Sequence, residues 1–220
     1  MTDGAPADPF KSQRRPPPKR ISSALPTSTL SVGTRLWRIH SRSRPPAEFA
    51  ATVPTAARGG RFDSPDGSYG VLYVSDSLEG AVAEVLLRDI PLVDYGARAI
   101  PVRAVQDKTL SVLETVRELE VVMLHGAGAS AVGQGLWLTK SDSADYSLTR
   151  AWGAAIRLVA PTGAGFEWRA RHDEDRLAFV LFGDLAEDAL RVRDSLELAD
   201  EAGLEAVRKV LLRYRAVIEA

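Results

Sequence analysis

The order of apolar and polar residues is most informative between residues 59 and 88. Val71-Leu72-Tyr73-Val74 is a short apolar run rich in β-formers, which predicts a buried strand. Residues 78–88 are apolar on almost every side and predict a mostly buried helix. Because Asp76 and Glu79 have the spacing of a capping box, we expect this helix to begin near residue 77 or 78.

One polar stripe interrupts this predicted helix, at Gly80, Glu84 and Arg88. A carboxylate in the middle of a mostly buried helix needs an explanation. An exposed ion pair between Glu84 and Arg88, worth about 0.2–0.5 kcal/mol, is the simplest one. The alternative is a carboxylate that is partly withdrawn from water because it acts on a ligand.

Strands and helices are also predicted along the rest of the chain. Residues 34–40 alternate as a strand with Arg38 at its centre, and further strands are expected at 99–105, 110–113, 119–124, 166–170 and 177–182. Helices are expected at 144–159 and 201–217. The mixture without a strict strand–helix alternation predicts an α+β fold: a single domain over residues 31–220, with short mixed or antiparallel strands and a few helices.

Residues 1–30 differ from this domain in composition. They hold five Lys and Arg residues, two Asp residues and the run Pro16-Pro17-Pro18. Such a segment cannot bury enough apolar area to offset its ordering entropy, so we predict a disordered, basic, proline-rich tail. An arm that binds nucleic acid or a partner is the alternative.

A glycine motif at residues 126–131 resembles a dinucleotide-binding fingerprint, because Gly126, Gly128 and Ala131 follow an apolar strand. That fingerprint requires a helix directly behind the glycines. Gly133 and Gly135 follow at once, and residues 136–138 are expected to be extended. We therefore interpret the motif as a turn.

Bulk composition excludes several function classes. Hydrophobic residues make up 45% of the chain, charged residues 26%, and the formal net charge is −1, which favours neither nucleic acid nor a membrane surface as a partner. No run approaches the roughly 20 apolar residues of a membrane-spanning helix, and the pattern of the first residues predicts no signal peptide. Without cysteine we expect a cytoplasmic protein. The three scattered histidines predict no metal site.

The remaining candidate chemistry lies in four polar side chains. Two arginines, Arg38 and Arg61, the latter after Gly59-Gly60, suit a pyrophosphate. Tyr73 offers a ring for stacking. A partly buried Glu84 would stabilise the positive charge that develops on a ribose. Together they suggest cleavage of an N-glycosidic bond in a dinucleotide.

Four motifs in a fixed order resemble the RES-domain family, which is named for an arginine, a glutamate and a serine and includes the toxins of RES–Xre toxin–antitoxin pairs. They are Leu36-Trp37-Arg38-Ile39-His40, Gly59-Gly60-Arg61-Phe62, Leu72-Tyr73-Val74 and Glu79-Gly80-Ala81-Val82-Ala83-Glu84. The similarity continues through residues 146–152, 169–173 and 181–184, so it covers most of the chain.

This resemblance implies a fold related to ADP-ribosyltransferases, with NAD as the substrate in a cleft. It implies that the nicotinamide–ribose bond is broken with water or phosphate as acceptor, and that an Xre-like antitoxin is the partner. The implied catalytic residues are Arg38, Glu84 and Tyr73. The implied NAD-binding residues are Arg38, Arg61, Tyr73 and Gly60. No membrane, no direct nucleic-acid contact and no metal are expected.

The family's serine is missing from this chain. Relatives carry it in a Tyr-x-Ser-Arg-His type of stretch, where this chain has Trp168-Arg169-Ala170-Arg171-His172. Alanine offers no side-chain hydrogen bond. We therefore expect either an enzyme with weakened turnover or a binding module without turnover. Ser147 is a conceivable substitute, although it lies in a different segment. Transfer of ADP-ribose to a protein is a further alternative.

Overall fold

Strands and helices interleave along residues 10–51 and 59–219, which a computed structural model describes. The strands are β1 (Thr27–Leu30), β2 (Arg35–Ser41), β3 (Val71–Ser75), β4 (Arg98–Pro101), β5 (Lys108–Thr115), β6 (Leu119–Met123), β7 (Gly165–Ala170), β8 (Asp173–Phe182), β9 (Leu190–Glu197) and β10 (Ala216–Glu219). The helices are α1 (Leu78–Val85), α2 (Arg103–Gln106), α3 (Ala127–Ala131), α4 (Trp137–Lys140), α5 (Tyr146–Val159), α6 (Gly183–Ala186) and α7 (Glu201–Arg213).

Eight of these strands form one mixed sheet in the order β1-β6-β7-β8-β3-β2-β5-β9. Only β6 and β7 run parallel in it, and every other neighbouring pair is antiparallel. β10 and β4 form a separate parallel pair. The α+β prediction with short mixed and antiparallel strands is confirmed.

The sheet opens between β2 and β3. β2 pairs with β5 along all seven of its residues, and β3 pairs with β8 along all five. Within the described residues, however, β2 and β3 share the single registered pair Trp37 and Ser75. Because β2 and β3 are not paired beyond these two residues, side chains from both strands line a common cleft.

Three apolar clusters surround this opening. One joins α5 to β7 and β8 and contains Phe62, Trp152 and Trp168. A second packs α1 and α7 against Ile39 of β2. The third contains Leu36, among other residues of the central strands. Burial of these faces is the main term that stabilises the fold, at about 25 cal/mol per Å² of apolar surface.

Helix α1 begins at Leu78, as the sequence predicts. Its N-cap is Ser77, whose Oγ accepts a 3.1 Å hydrogen bond from the Gly80 amide. Asp76 instead accepts a 3.0 Å hydrogen bond from the Leu177 amide on β8. The regular helix ends at Val85, three residues before the predicted end at residue 88.

Several short elements differ from the sequence predictions. The strand expected at 99–105 ends at Pro101 and gives way to α2. Residues 136–138 are mostly helical, not extended, because a three-residue apolar run fits either periodicity. The expected turn at 126–131 contains the five-residue helix α3. The last helix ends at Arg213, so β10 replaces its final predicted turn.

The N-terminal segment takes part in the fold from residue 10 onward. β1, which lies inside the segment predicted to be disordered, adds an edge to the sheet by pairing with β6. The Gln13 side chain accepts hydrogen bonds from the Gly135 and Trp137 amides, at 3.1 and 3.3 Å. The prediction of a disordered tail therefore does not hold for this part, and residues 1–9 lie outside the described residues. In the part of the chain that the structure describes, no helix has the length and apolar character needed to cross a bilayer.

Candidate active site

A cleft of about 640 Å³ occupies the opening between β2 and β3. All the residues predicted for the site line it: Arg38, Gly60, Arg61, Tyr73 and Glu84. They come from two strands, one helix and the loop before β3, so only the folded chain brings them together. A volume of this size is in the range of small-molecule and cofactor sites.

Arg38 lies on β2 and is buried, with 8% of the residue exposed. Its Nη1 donates to the carbonyl oxygens of Pro45, at 3.3 Å, and Pro46. Burial lowers the pKa of Arg38 to about 10, while the carboxylate of Glu48 acts in the opposite direction. Arg38 is therefore a fixed cation at neutral pH, with donors left for a ligand.

Arg61 is a second cation that lines the cleft, and it is only 4% exposed. Its Nη2 donates a 3.1 Å hydrogen bond to the carbonyl oxygen of Ser141, and its guanidinium lies 5.6 Å from the centre of the Tyr146 ring. Burial lowers its pKa to about 10, and the nearby Glu84 opposes this shift. Its Nε is buried without a hydrogen-bond partner among the described residues. A buried charged donor without a partner is costly unless a ligand satisfies it.

The hydroxyl of Tyr73 is engaged in hydrogen bonds within the protein. The hydroxyl accepts a hydrogen bond from the Phe62 amide and donates one to Asp63 Oδ1, both at 2.9 Å. Asp63 also accepts from the Gly60 amide at 2.7 Å. Burial, with the Asp63 carboxylate acting in the same direction, raises the pKa of Tyr73 well above its ordinary value. The phenol therefore stays neutral, and its ring remains as a surface in the cleft.

Glu84 is half-buried on α1, and its Oε1 accepts a 2.7 Å hydrogen bond from the backbone amide of Arg171. Within the described residues no ion pair joins it to Arg88, so the simple surface-pair explanation does not apply. Arg88 turns instead to Tyr146, donating to its hydroxyl and lying 5.1 Å from the ring centre. Glu84 is thus oriented by the backbone of another segment and presented to the cleft.

The structure also shows site residues that the sequence did not single out. Asp63 ties Gly60 to Tyr73, and Tyr146 packs against three guanidiniums, those of Arg61, Arg88 and Arg150. Asp63 lies next to the glycine motif, and that adjacency was its only signal in the sequence. Tyr146 opens α5 and lies outside the apolar stripe expected for that helix. Its only signal in the sequence was its place in residues 146–152, where the similarity to the RES-domain family continues.

Charge in the cleft suits an anion. Its described lining carries four arginines, Arg38, Arg44, Arg61 and Arg88, against two carboxylates, Asp63 and Glu84. Across residues 10–51 and 59–219, no group of three or more His, Asp or Glu side chains is placed to hold a metal ion.

Position 170 lies beside the site. Ala170 ends β7 with no exposed surface, and its carbonyl oxygen accepts a 2.6 Å hydrogen bond from Lys140 Nζ. The next residue is Arg171, whose backbone amide donates the hydrogen bond to Glu84. Ser147, the conceivable substitute, is exposed on α5 and does not line the cleft.

The chain also matches a known protein family. The family model described as the RES domain matches residues 35–202, which is more than half of the chain. The chain belongs to the RES-domain family. This confirms the resemblance seen in the sequence motifs.

A solved structure shares the RES fold of this chain. It is entitled "Crystal structure of the M. tuberculosis MbcT-MbcA toxin-antitoxin complex", and its matching chain is 19% identical with a TM-score of 0.54. The match covers 80% of the present chain and 90% of the other. At that identity the likeness concerns the fold. Among curated proteins, none matches the chain.

Proposed function

We propose that this RES-domain protein is an NAD-consuming enzyme, acting as an NAD glycohydrolase or phosphorylase that cleaves the nicotinamide–ribose bond. The observation that carries the proposal is the position of Glu84, whose carboxylate shares one cleft with Arg38, Arg61 and Tyr73. This is the constellation that a dinucleotide with a scissile N-glycosidic bond requires.

The arginines provide the binding energy for the pyrophosphate. The Nε of Arg61 is buried without a hydrogen-bond partner among the described residues, and Arg38 lines the same cleft. A guanidinium pairs with phosphate oxygens through two parallel hydrogen bonds, and such charge-assisted bonds are about twice as strong as neutral ones. Because Arg61 is buried, such bonds are weakened less by solvent than they would be on the surface.

Glu84 supplies the negative charge for the reaction. As the bond from ribose to nicotinamide breaks, its electron pair leaves with the nicotinamide nitrogen and a positive charge develops on the sugar ring. A carboxylate fixed in advance stabilises that charge without reorganising during the reaction. Water, or phosphate in the phosphorylase version, then adds to the ribose carbon; with water, one proton is released.

Tyr73 contributes its ring. Because its hydroxyl is occupied by Phe62 and Asp63, we assign it no proton transfer. The ring lines the cleft and packs edge-on against Trp168, with centroids 6.4 Å apart. A flat ring fixed in this way suits the nicotinamide or another planar group.

A protein partner belongs to the same proposal. The structural neighbour was determined as a toxin–antitoxin complex, and the shared family supports a toxin role for this chain, with an Xre-like antitoxin as its partner. We also propose that NAD is consumed in the cytoplasm. A helix-turn-helix protein encoded beside this one, and co-purifying with it, would support the pairing.

The direct test is to identify the products. Purified protein incubated with NAD should release nicotinamide, together with ADP-ribose when water is the acceptor or its phosphorylated form when phosphate is present. Chromatography with mass detection separates these products from an ADP-ribose group attached to protein. Intact NAD after prolonged incubation, with and without phosphate, would overturn the proposal.

One observation favours a second candidate, a module that binds NAD without turning it over. Ala170 leaves the family's serine position without a polar side chain. Calorimetric binding of NAD with no product would support this candidate. Under the enzyme proposal, Ala170→Ser should instead raise an already measurable turnover.

A further inference from the structure

Three consecutive residues, Lys140, Ser141 and Asp142, connect the two halves of the proposed site. The carbonyl oxygen of Ser141 accepts the 3.1 Å hydrogen bond from Arg61. Asp142 Oδ1 accepts a 2.6 Å hydrogen bond from Nη2 of Arg171, the residue whose amide holds Glu84. The segment at the end of α4 therefore contacts both the arginine that would bind phosphate and the support of the carboxylate.

Lys140 makes the strongest of these connections. Its Nζ donates to the carbonyl oxygens of Arg169, at 2.7 Å, and Ala170, at 2.6 Å, and lies 2.6 Å from Glu174 Oε1. An ammonium has three N–H donors, and all three are used here. The side chain is 12% exposed, and its head group fixes the connection from β7 to β8.

The contact with Ala170 has a specific consequence for Glu84. The Ala170 carbonyl and the Arg171 amide belong to one peptide group, which is planar with its oxygen and hydrogen pointing in opposite directions. Lys140 holds the oxygen, and Glu84 Oε1 accepts from the N–H of that same group at 2.7 Å. A cation on the carbonyl polarises the peptide and strengthens the hydrogen bond from its amide.

We propose that Lys140 is a positioning residue for the reaction, acting on Glu84 through the peptide group between Ala170 and Arg171. Lys140 does not line the cleft, so it acts without touching the substrate. The inference rests on the proposed function, since it gives Glu84 a catalytic task. It also explains how the Glu84 carboxylate is held in this chain, in which residue 170 has no polar side chain.

The kinetic test compares Lys140→Met with the matched control Lys209→Met, at a lysine that is 72% exposed on α7. Rates are normalised to the folded fraction. We expect Lys140→Met to lower kcat by about 10- to 100-fold, since small misplacements of a catalytic group have effects of that size, and to leave KM for NAD within about threefold. Lys140→Arg should recover most of the loss, and the control should match the wild type. Unchanged kcat in Lys140→Met, or a loss confined to KM, would overturn the proposal.

A second measurement is independent of turnover. Hydrogen exchange at the Arg171 amide, followed by NMR, should be at least about tenfold faster in Lys140→Met, while the amide of Val180 inside the sheet keeps its protection. Equal exchange at Arg171 in the two proteins would overturn the positioning role, even if NAD is cleaved. Absence of nicotinamide release from the wild type would instead overturn the proposed function, and the exchange rates would still decide whether Lys140 orients this peptide.

Discussion

Tyr73 packs so closely on Gly60 that its hydroxyl occupies the space that a β-carbon at residue 60 would need. Glycine at this position is therefore required by packing in the cleft wall. The same two residues are joined a second time through Asp63, which accepts hydrogen bonds from the Gly60 amide and the Tyr73 hydroxyl. The loop before β3 and the phenol ring are thus one unit.

Gly60→Ala should displace Tyr73 and distort the cleft. We expect a loss of about 1–3 kcal/mol in the free energy of unfolding, the usual cost of overpacking, together with weaker NAD binding. Urea unfolding and calorimetry measure the two effects. Gly163→Ala is the matched control, because the nearest atoms to a β-carbon there are a methyl group of Val122, at 3.2 Å, and the carbonyl oxygen of Ala160, at 3.3 Å, which need to shift by only a few tenths of an ångström. Equal effects of the two substitutions would contradict the packing argument.

Tyr73→Phe separates the ring from its hydroxyl. The substitution removes a hydrogen bond to the Asp63 carboxylate and one from the Phe62 amide, so we expect about 1.5–3 kcal/mol of destabilisation. At temperatures where the variant is folded, turnover should fall less than about tenfold, because the ring is retained. Tyr95→Phe, at a residue 92% exposed, should change neither quantity. Complete loss of turnover in folded Tyr73→Phe would show that the hydroxyl has a chemical role.

Arg61→Lys should weaken NAD binding by at least about tenfold, although charge is conserved. Lysine has no planar fork, so it cannot bond the Ser141 carbonyl and a phosphate in the same way. Isothermal titration with NAD measures the effect, and Arg208→Lys on the exposed side of α7 is the control. An affinity equal to that of the wild type would exclude Arg61 as a phosphate ligand.

Mild acid should destabilise the fold through His40. Burial lowers the pKa of His40 below 6.5; Arg38 adds to this effect, while the Ser41 carbonyl and Glu48 oppose it. At pH values between the folded and the unfolded pKa of His40, the unfolded chain binds a proton that the folded chain does not. The contribution of His40 to the free energy of unfolding is therefore fully present above pH 6.5 and decreases below it, by up to about 1.4 kcal/mol per pH unit. Urea unfolding at pH 7 and pH 5 should show this decrease, and His40→Gln should reduce it.

His172 has a pKa lowered by burial in the same direction, so part of the decrease should remain in the His40→Gln variant. An identical pH dependence in variant and wild type would show that His40 does not contribute. A steeper dependence in the variant would contradict the sign of the effect.

Secondary-structure elements whose sequence signal is local could be predicted from the sequence alone. Strands β2, β3, β7 and β8 and helix α5 follow from apolar periodicity, and the start of α1 follows from its polar cap. The candidate site was found because Arg38, Arg61, Tyr73 and Glu84 occur in the order of a family, and the fold does bring them to one cleft. Their chemical roles stay predictions.

Contacts made by the backbone could not be predicted in this way. The amide of Arg171 holds Glu84, and Lys140 holds two carbonyl oxygens, and neither interaction depends on a recognisable side-chain pair. Short apolar runs were ambiguous for a different reason. Residues 136–138 fit a strand and a helix equally well, and packing in the folded chain decides between them.

The most direct measurement of the central claim is the rate of nicotinamide release at saturating NAD, compared between the wild type and Glu84→Gln. Glutamine keeps the shape and the hydrogen bond from Arg171 but removes the charge that stabilises the developing cation. We expect clear release by the wild type, at least about 100-fold slower release by Glu84→Gln, and NAD affinities within about threefold of each other. No release by the wild type, or equal rates in the two proteins, would contradict the account.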